Sequence, residues 1–320
     1  MPTHVALEWD ATEARIVVAQ SRGGQTVIEQ AFSVSREPRD PESGMDDSEF
    51  GQRLKAALTA RDVRASEALI AVGRASIELR QLALPAAPDD ELPDMVRFAA
   101  ISQFASLGDD WPLDFFPLRS PDPATQTVVA AALAPKTAAQ IHATCAAAGL
   151  KAARLALRPC AAASLLARQD IPPAHPVRLL IDMLAVEADL TVLVERDSVL
   201  MRTVRLPGGE AADELSASLL GEIRRTMAAA QNQLNGRRVT QIVLCGGRAE
   251  KQQMVAALAE RLDVDVVVFD PFAGVEHGEQ LRAHPPAHPE RFAPLLGLLL
   301  DEAQERRPAI DFVNPRRPAA

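Results

Sequence analysis

The chain has 320 residues, 48% of them apolar, enough for two ordinary domains with proper cores. Lys and Arg number 34 against 43 Asp and Glu, so the formal charge is −9 and the overall charge gives no reason to bind DNA or RNA. Collagen-like, disordered and disulfide-framework classes are excluded, and with no tyrosine and 4% aromatics there is no stacking platform for single-stranded nucleic acid.

The first elements read as short strands at Val5–Leu7, Arg15–Ala19 and Thr26–Gln30, with a turn at Ser21-Arg22-Gly23-Gly24 between the last two. After a loop from Ser35 to Asp47, Ser48 is placed to N-cap a helix carrying Phe50, Leu54, Ala57 and Leu58 on one face. A block of different pattern follows: strands at Ala68–Val72 and Ile77–Leu84, a helix over Asp89–Ala105, a strand at Thr127–Leu133, and a helix from Thr137 to near Gly149. The acidic run Asp89-Asp90-Glu91 stands at a helix start, where negative charge suits the dipole, and capping explains it.

About 175 residues after the first strand the opening order recurs: strands at Arg178–Asp182, Asp189–Val194 and Val199–Arg205, then a helix through Leu215–Leu234. A βββα unit used twice predicts a duplicated architecture. Gln241–Cys245 then runs into Gly246-Gly247 and a helix bearing Met254, Val255, Leu258 and Leu262, with a strand at Val264–Phe269 beyond it. Residues 277–294 read as loop, Pro294–Gln304 as an apolar helix, and the remainder as a Pro- and Arg-rich tail.

Several candidates for chemistry reduce to plain structure. Cys145, Cys160 and Cys245 are far apart with no C-x-x-C spacing and read as reduced, buried thiols of a cytosolic protein; Cys245 has no histidine placed to activate it. His277, His284 and His288 lack the i, i+3 or i, i+4 spacing that holds a metal on a helix face. Glu222, Arg224 and Arg225 read as a surface ion-pair face. The N-terminal stretch MPTHVALEWDATEARIVV has no secretory-signal pattern, and the run Phe292–Leu300 is far short of the roughly 20 residues of a membrane span, so a soluble chain is expected.

Two βββα halves, the second closed by strand–Gly–Gly–helix, resemble the actin-like ATPase superfamily. Within it the chain most resembles the PilM family of type IV pilus assembly, and the cytoplasmic domain of the GspL proteins of type II secretion. The resemblance rests on Val5–Val18, Ile77–Val96, Thr127–Leu150, Leu179–Leu193, Gln241–Gly247 and Val268–Phe272, taken together in order and spacing. It implies an α/β, actin-like (RNase H-like), duplicated two-lobe fold with the inserted 1C-type subdomain that PilM shares with FtsA. The expected division is a first lobe at 1–62, 151–172 and 291–306, an inserted subdomain at 63–150, a second lobe at 173–290, and a tail at 307–320.

In nucleotide-binding members, two Asp-x-Gly-[Ser/Thr] hairpins cradle the phosphates through backbone N–H groups and set an Asp near Mg²⁺, with glycine needed for close approach. Here the first hairpin has Glu8 in place of Asp and Asp10 in place of Gly, followed by Thr12 and Arg15; the second keeps Asp182 but has Leu184 at the glycine position. An added carboxylate about 4 Å from a phosphate costs on the order of 1 to 4 kcal/mol. The resemblance thus marks Asp10, Thr12, Arg15, Asp182, Gly246 and Gly247 as a degenerate ATP and Mg²⁺ site, and the expectation is a chain without a resident cofactor or catalytic residues. The alternative is an actin-fold Mg-ATPase or phosphotransferase.

The tail AIDFVNPRRP is similar in kind to the Ile-Asn-Leu-Leu-Pro peptide by which the family's membrane partner PilN engages PilM, with Asn314 added before Pro315. As an extended segment it would present Ile310 and Phe312 on one side. Ile310, Phe312, Val313, Asn314, Pro315 and Arg316 are therefore the expected partner-binding residues, and Arg316-Arg317 suit a juxtamembrane place. The expected role is a scaffold at the cytoplasmic face of the bacterial inner membrane, partnered by a PilN-like protein or its fused equivalent and other platform proteins, and as a candidate homodimer. A groove between the first lobe and the inserted subdomain would take the peptide, from the same chain or a neighbour. The chain would continue into a membrane helix beyond residue 320.

Overall fold

The structure, a computed structural model, describes residues 3–22, 25–36, 47–119, 122–169, 174–184, 187–206, 212–245 and 249–317. Strands β1 (Thr3–Trp9), β2 (Glu13–Arg22) and β3 (Gln25–Ser35) form an antiparallel meander, followed by helix α1 (Asp47–Ala60) and by β4 (Glu67–Val72), which runs parallel to β1. Ser48 lies inside the first turn of α1, not at its cap.

Next come β5 (Ile77–Pro85), α2 (Leu92–Gln103), β6 (Leu113–Leu118) and β7 (Thr125–Leu133). Their strands make a separate antiparallel sheet of order β5-β7-β6. α2 packs on it through Leu92, Val96 and Ala100, against Leu82, Phe115 and Val128. Glu91 occupies the N-cap position of α2 without a side-chain cap bond, so the acidic run there acts by charge alone. α3 (Pro135–Ala147) ends at Gly149, whose φ of 77° is the left-handed stop that glycine favours.

β8 (Lys151–Leu157) then pairs parallel with β4, and α4 (Arg158–Ala167) follows directly. The first sheet thus has β4 and β8 in it, and the expected inserted block 63–150 does not coincide with sheet membership: β4 belongs to the first sheet and α3 packs with α1. Gly51 of α1 makes that helix pairing close, since a Cβ there would sit 2.5 Å from the Ala147 Cβ.

The second half repeats the plan with β9 (Val177–Met183), β10 (Glu187–Val194), β11 (Asp197–Arg205), α5 (Ala212–Gln233), β12 (Gln241–Cys245), α6 (Ala249–Leu262) and β13 (Asp265–Phe269). Its sheet runs β11-β10-β9-β12-β13, and the first runs β3-β2-β1-β4-β8, the same order when strands are counted within each half. Segment 277–294, expected as loop, holds the end of β14 (Glu276–His277), which pairs with β3, then α7 (Glu279–Ala283) and a 3-10 turn at Pro289–Phe292; α8 (Ala293–Ala303) begins within it.

Period-two alternation divides the first sheet between two cores. Val5, Leu7, Ile16, Val18, Ile70 and Leu155 face α1 and α3, while Ala6, Val17, Leu69 and Ala156 face α4 and α8. That second core continues into Leu180, Leu193 and Val243 of the second sheet, so α4 and α8 are shared between the lobes. The other face of the second sheet is covered by α5 and α6 through Leu219, Ile223 and Leu258.

Besides the two-residue β14, β6 and β8 are the strands that local pattern misses. Pro117 interrupts the run Leu113–Leu118, and it is tolerated because β6 lies at a sheet edge. β8 is Ala- and Leu-rich and reads equally well as helix.

Candidate functional site

Two charged sites occupy the boundaries between these layers. The first is where the β1–β2 and β9–β10 hairpins approach each other. Asp10 accepts bonds from the Thr12 N–H and hydroxyl, each at 2.7 Å, and from the Glu13 N–H at 3.0 Å, so it closes its own turn. Burial works against its charge but is outweighed by the Thr12 bonds and Arg15, and its carboxyl is held below the usual range.

Arg15 is wholly buried and meets Glu8 at 2.8 Å, Asp10 at 3.0 Å and Glu13 at 2.7 Å. Across the cleft Arg158, at the start of α4, meets Asp189 at 2.7 Å and Glu187 at 2.6 Å. These bonds tie the first half to β10 of the second. Asp189 also accepts the Thr203 hydroxyl. For both arginines burial favours losing the proton, yet the facing carboxylates outweigh it and hold the charge. Each guanidinium is already neutralised, so a phosphate entering here would have to displace a carboxylate of the protein itself.

Asp182 lies 1% exposed at the same boundary. Among the described residues neither of its carboxylate oxygens has a hydrogen-bond partner. Burial first, then the charges of Asp189 and Glu8, push its pKa up to about 7, against the pull of Arg158 and Arg15. Gly246 and Gly247 lie outside the described residues.

The second site is formed by the tail. Ile310 (0% exposed) and Phe312 (5%) enter the core of the first lobe. Asp311 bridges antiparallel to Ala156 of β8, and the Phe312 N–H donates to the Leu155 carbonyl at 2.9 Å. Between Ile310 and Phe312 stands Asp311. That side chain is also fully buried, paired with Arg154 at 3.1 Å and accepting the Val313 and Asn314 N–H groups at 3.0 and 3.3 Å. The chain therefore curls around its own carboxylate. Val313 packs half-buried on the core, the Asn314 amide donates to the Ala153 carbonyl at 3.2 Å, and Pro315 precedes Arg316.

Arg316 reaches Asp114 of β6. Asp114 has no solvent exposure and accepts the Asp311 N–H at 2.8 Å, the Arg316 N–H at 2.9 Å, the Arg316 guanidinium at 3.1 and 3.2 Å, and Arg307 at 3.2 Å. The tail thus lies between β8 of the first sheet and β6 of the small sheet. Asp114, Arg154, Arg307 and Asp311 are functional candidates that sequence reasoning missed. The signal available was a lone acid inside the apolar run Leu113–Leu118.

The remaining candidates make contacts within the fold. Burial pushes the Cys145 and Cys160 thiols up to about 12, so neither is a thiolate at neutral pH. Cys245 is buried in β12. His277 bonds the Phe272 carbonyl at 3.1 Å, His288 approaches Glu290 at 3.5 Å, and no group of three His, Cys, Asp or Glu suited to a metal occurs among the described residues. Glu222 pairs with Arg202 and Arg225, and Arg224 with the Arg261 carbonyl. Among the described residues no helix is long and apolar enough to cross a membrane.

Curated proteins compared by sequence include no match to the chain. Among solved structures, a PilM–PilN type IV pilus biogenesis complex is similar at 21% identity, covering 94% of this chain and 98% of that one, with a TM-score of 0.77. The cytoplasmic domain of EpsL, an inner-membrane component of the type II secretion system of Vibrio cholerae, is similar at 12% identity, covering 98% of each chain, with a TM-score of 0.52. The ethanolamine utilization protein EutJ from Carboxydothermus hydrogenoformans follows at 13% identity, 94% and 90% coverage, and a TM-score of 0.50. The chain has the mixed α/β actin-like ATPase fold. A family model described as type IV pilus assembly protein PilM matches residues 215–289. The chain is similar to the PilM family, in sequence through that segment of the second half and in fold over nearly its whole length.

Proposed function

We propose that the chain is a PilM-like scaffold at the cytoplasmic face of a bacterial inner membrane, serving a type IV pilus or type II secretion-like platform and binding the short cytoplasmic peptide of a PilN-like partner. The groove between β8 and β6 is the peptide site, and the chain's own tail occupies it. In this reading the sheet β5-β7-β6 with α2 is the inserted 1C-type subdomain, spanning residues 77–133, and the two larger sheets are the actin-like lobes.

The observation that carries this reading is the tail itself. A segment with an apolar pair buried in the core of the first lobe, and one main-chain bond and one bridge to the edge strand β8, has a form compatible with peptide recognition at a strand edge. The interlobe cleft supports a non-catalytic role, because Arg15 and Arg158 are each committed to carboxylates of the chain.

A protease site introduced at the exposed turn Gln304–Arg306, then cut, leaves the tail held only by its contacts. A labelled peptide of residues 307–317 is expected to exchange into the groove, read by fluorescence anisotropy; no measurable binding overturns the reading. In parallel, millimolar Mg-ATP is expected to leave the melting temperature unchanged. A bound nucleotide at 100 times its dissociation constant would add about 2.7 kcal/mol, and a shift of that size would favour an enzyme.

A further inference from the structure

The groove contributes one buried charge, Asp114, which meets Arg307 and Arg316 of the segment 307–317, and one partly exposed charge, Arg154, which meets Asp311 of that segment and Glu302 of the body. The body supplies Asp114, fully buried, and Arg154; the tail supplies Arg316 and Asp311, the latter fully buried. On the tail the acid comes first and the arginine follows five positions later.

Apart from the Asn314 amide, which donates to the Ala153 carbonyl, the other contacts are poor at telling one peptide from another. The bonds from the Phe312 N–H to Leu155, and from the Asp311 and Arg316 N–H groups to Asp114, are main-chain contacts that any residue but proline can make. Ile310 and Phe312 select apolar side chains of suitable size and little more. Asp114 differs, because with the tail in place it has no contact with water. A peptide lacking the arginine leaves that carboxylate with Arg307 as its one cationic partner, and an acid there sets two carboxylates together. Lysine can offer one nitrogen to Asp114 as Arg316 does, but it lacks the planar guanidinium that lies over the Phe115 ring, 5.5 Å from its centre, and so is a weaker substitute.

We propose that this crossed pair of charges is the sequence filter of the groove: Asp114 and Arg154 select a peptide with an acid between two apolar residues and an arginine five positions after the acid. The filter rests on the groove being a peptide site, and its test separates the two claims.

The cut chain is titrated with labelled 307–317 peptides by anisotropy. The unaltered peptide binds, and Arg316→Gln weakens binding by on the order of thirtyfold or more, with Arg316→Glu weaker still. Arg316→Lys falls between them and the unaltered peptide. In Asp114→Asn protein the Arg316→Gln penalty shrinks to a few-fold, and in Arg154→Gln protein the Asp311→Asn penalty does the same. If the unaltered peptide binds but Arg316→Gln and Asp311→Asn bind within about threefold of it, the filter is overturned while the groove stands. If the unaltered peptide does not bind, both fall. The peptide series decides the matter even where a protein variant fails to fold.

Discussion

The interlobe cleft and the tail groove are built from the same chemistry and do opposite things. Each sets arginines against buried carboxylates, with the arginines themselves buried in the cleft and partly exposed in the groove. In the cleft every partner belongs to the folded body: Glu8, Asp10 and Glu13 hold Arg15, while Asp189 and Glu187 hold Arg158. In the groove Arg307, Asp311 and Arg316 arrive on the segment 307–317, joined to α8 through the exposed residues 304–306. A charged pocket whose counter-ions are all anchored acts as a lock. One whose counter-ions sit on a segment joined to the body by a single exposed stretch has the form of a receptor site.

The largest effect that tests this contrast is expected in the cleft. Arg158→Met leaves Asp189 buried without its ion-pair partner and is expected to cost about 3 to 5 kcal/mol in denaturant unfolding. A loss below about 1 kcal/mol would mean the pair does not lock the lobes.

Asp182 sharpens the same side through pH. Its folded pKa of about 7 lies above the ordinary 3.8, so the folded state holds the proton that the unfolded state has released. Stability is therefore expected to fall as pH rises from about 4 to about 7 and to level off above, by up to about 4 kcal/mol. Asp182→Asn removes that slope, so its advantage over the unaltered chain grows between pH 5 and pH 8 in thermal unfolding. An advantage that stays constant with pH would contradict the isolation of this carboxyl.

In the groove the expected effect is smaller and local. Phe312→Ala removes about 3 kcal/mol of packing from the tail. Its main-chain N–H, bonded to Leu155, should lose hydrogen-exchange protection while amides of β9 and β10 keep theirs. Loss of protection across both sheets would show that the tail is part of the lock and not a detachable ligand.

The duplicated plan is legible from local pattern because alternation such as Val5, Leu7, Ile16 and Val18 against Ala6 and Val17 reports which face of a strand is buried. The apolar pair Ile310 and Phe312 is legible for the same reason. Asp114 shows the limit. Its role depends on Arg316, 202 residues away, and nothing in the spacing of LDFFPL or NPRRP relates the two.

What the sequence alone determined is the repeated βββα order, the longer helices and an out-of-place apolar tail, since hydrophobic period is a property of neighbours in the chain. Only the tertiary structure decided that Arg15 and Arg158 are already neutralised, that Asp182 is isolated, and that β6 and β8 form the walls around the tail. Coulomb and hydrogen-bond partners are chosen by distance in space, and the fold sets those distances across separations that no local window spans.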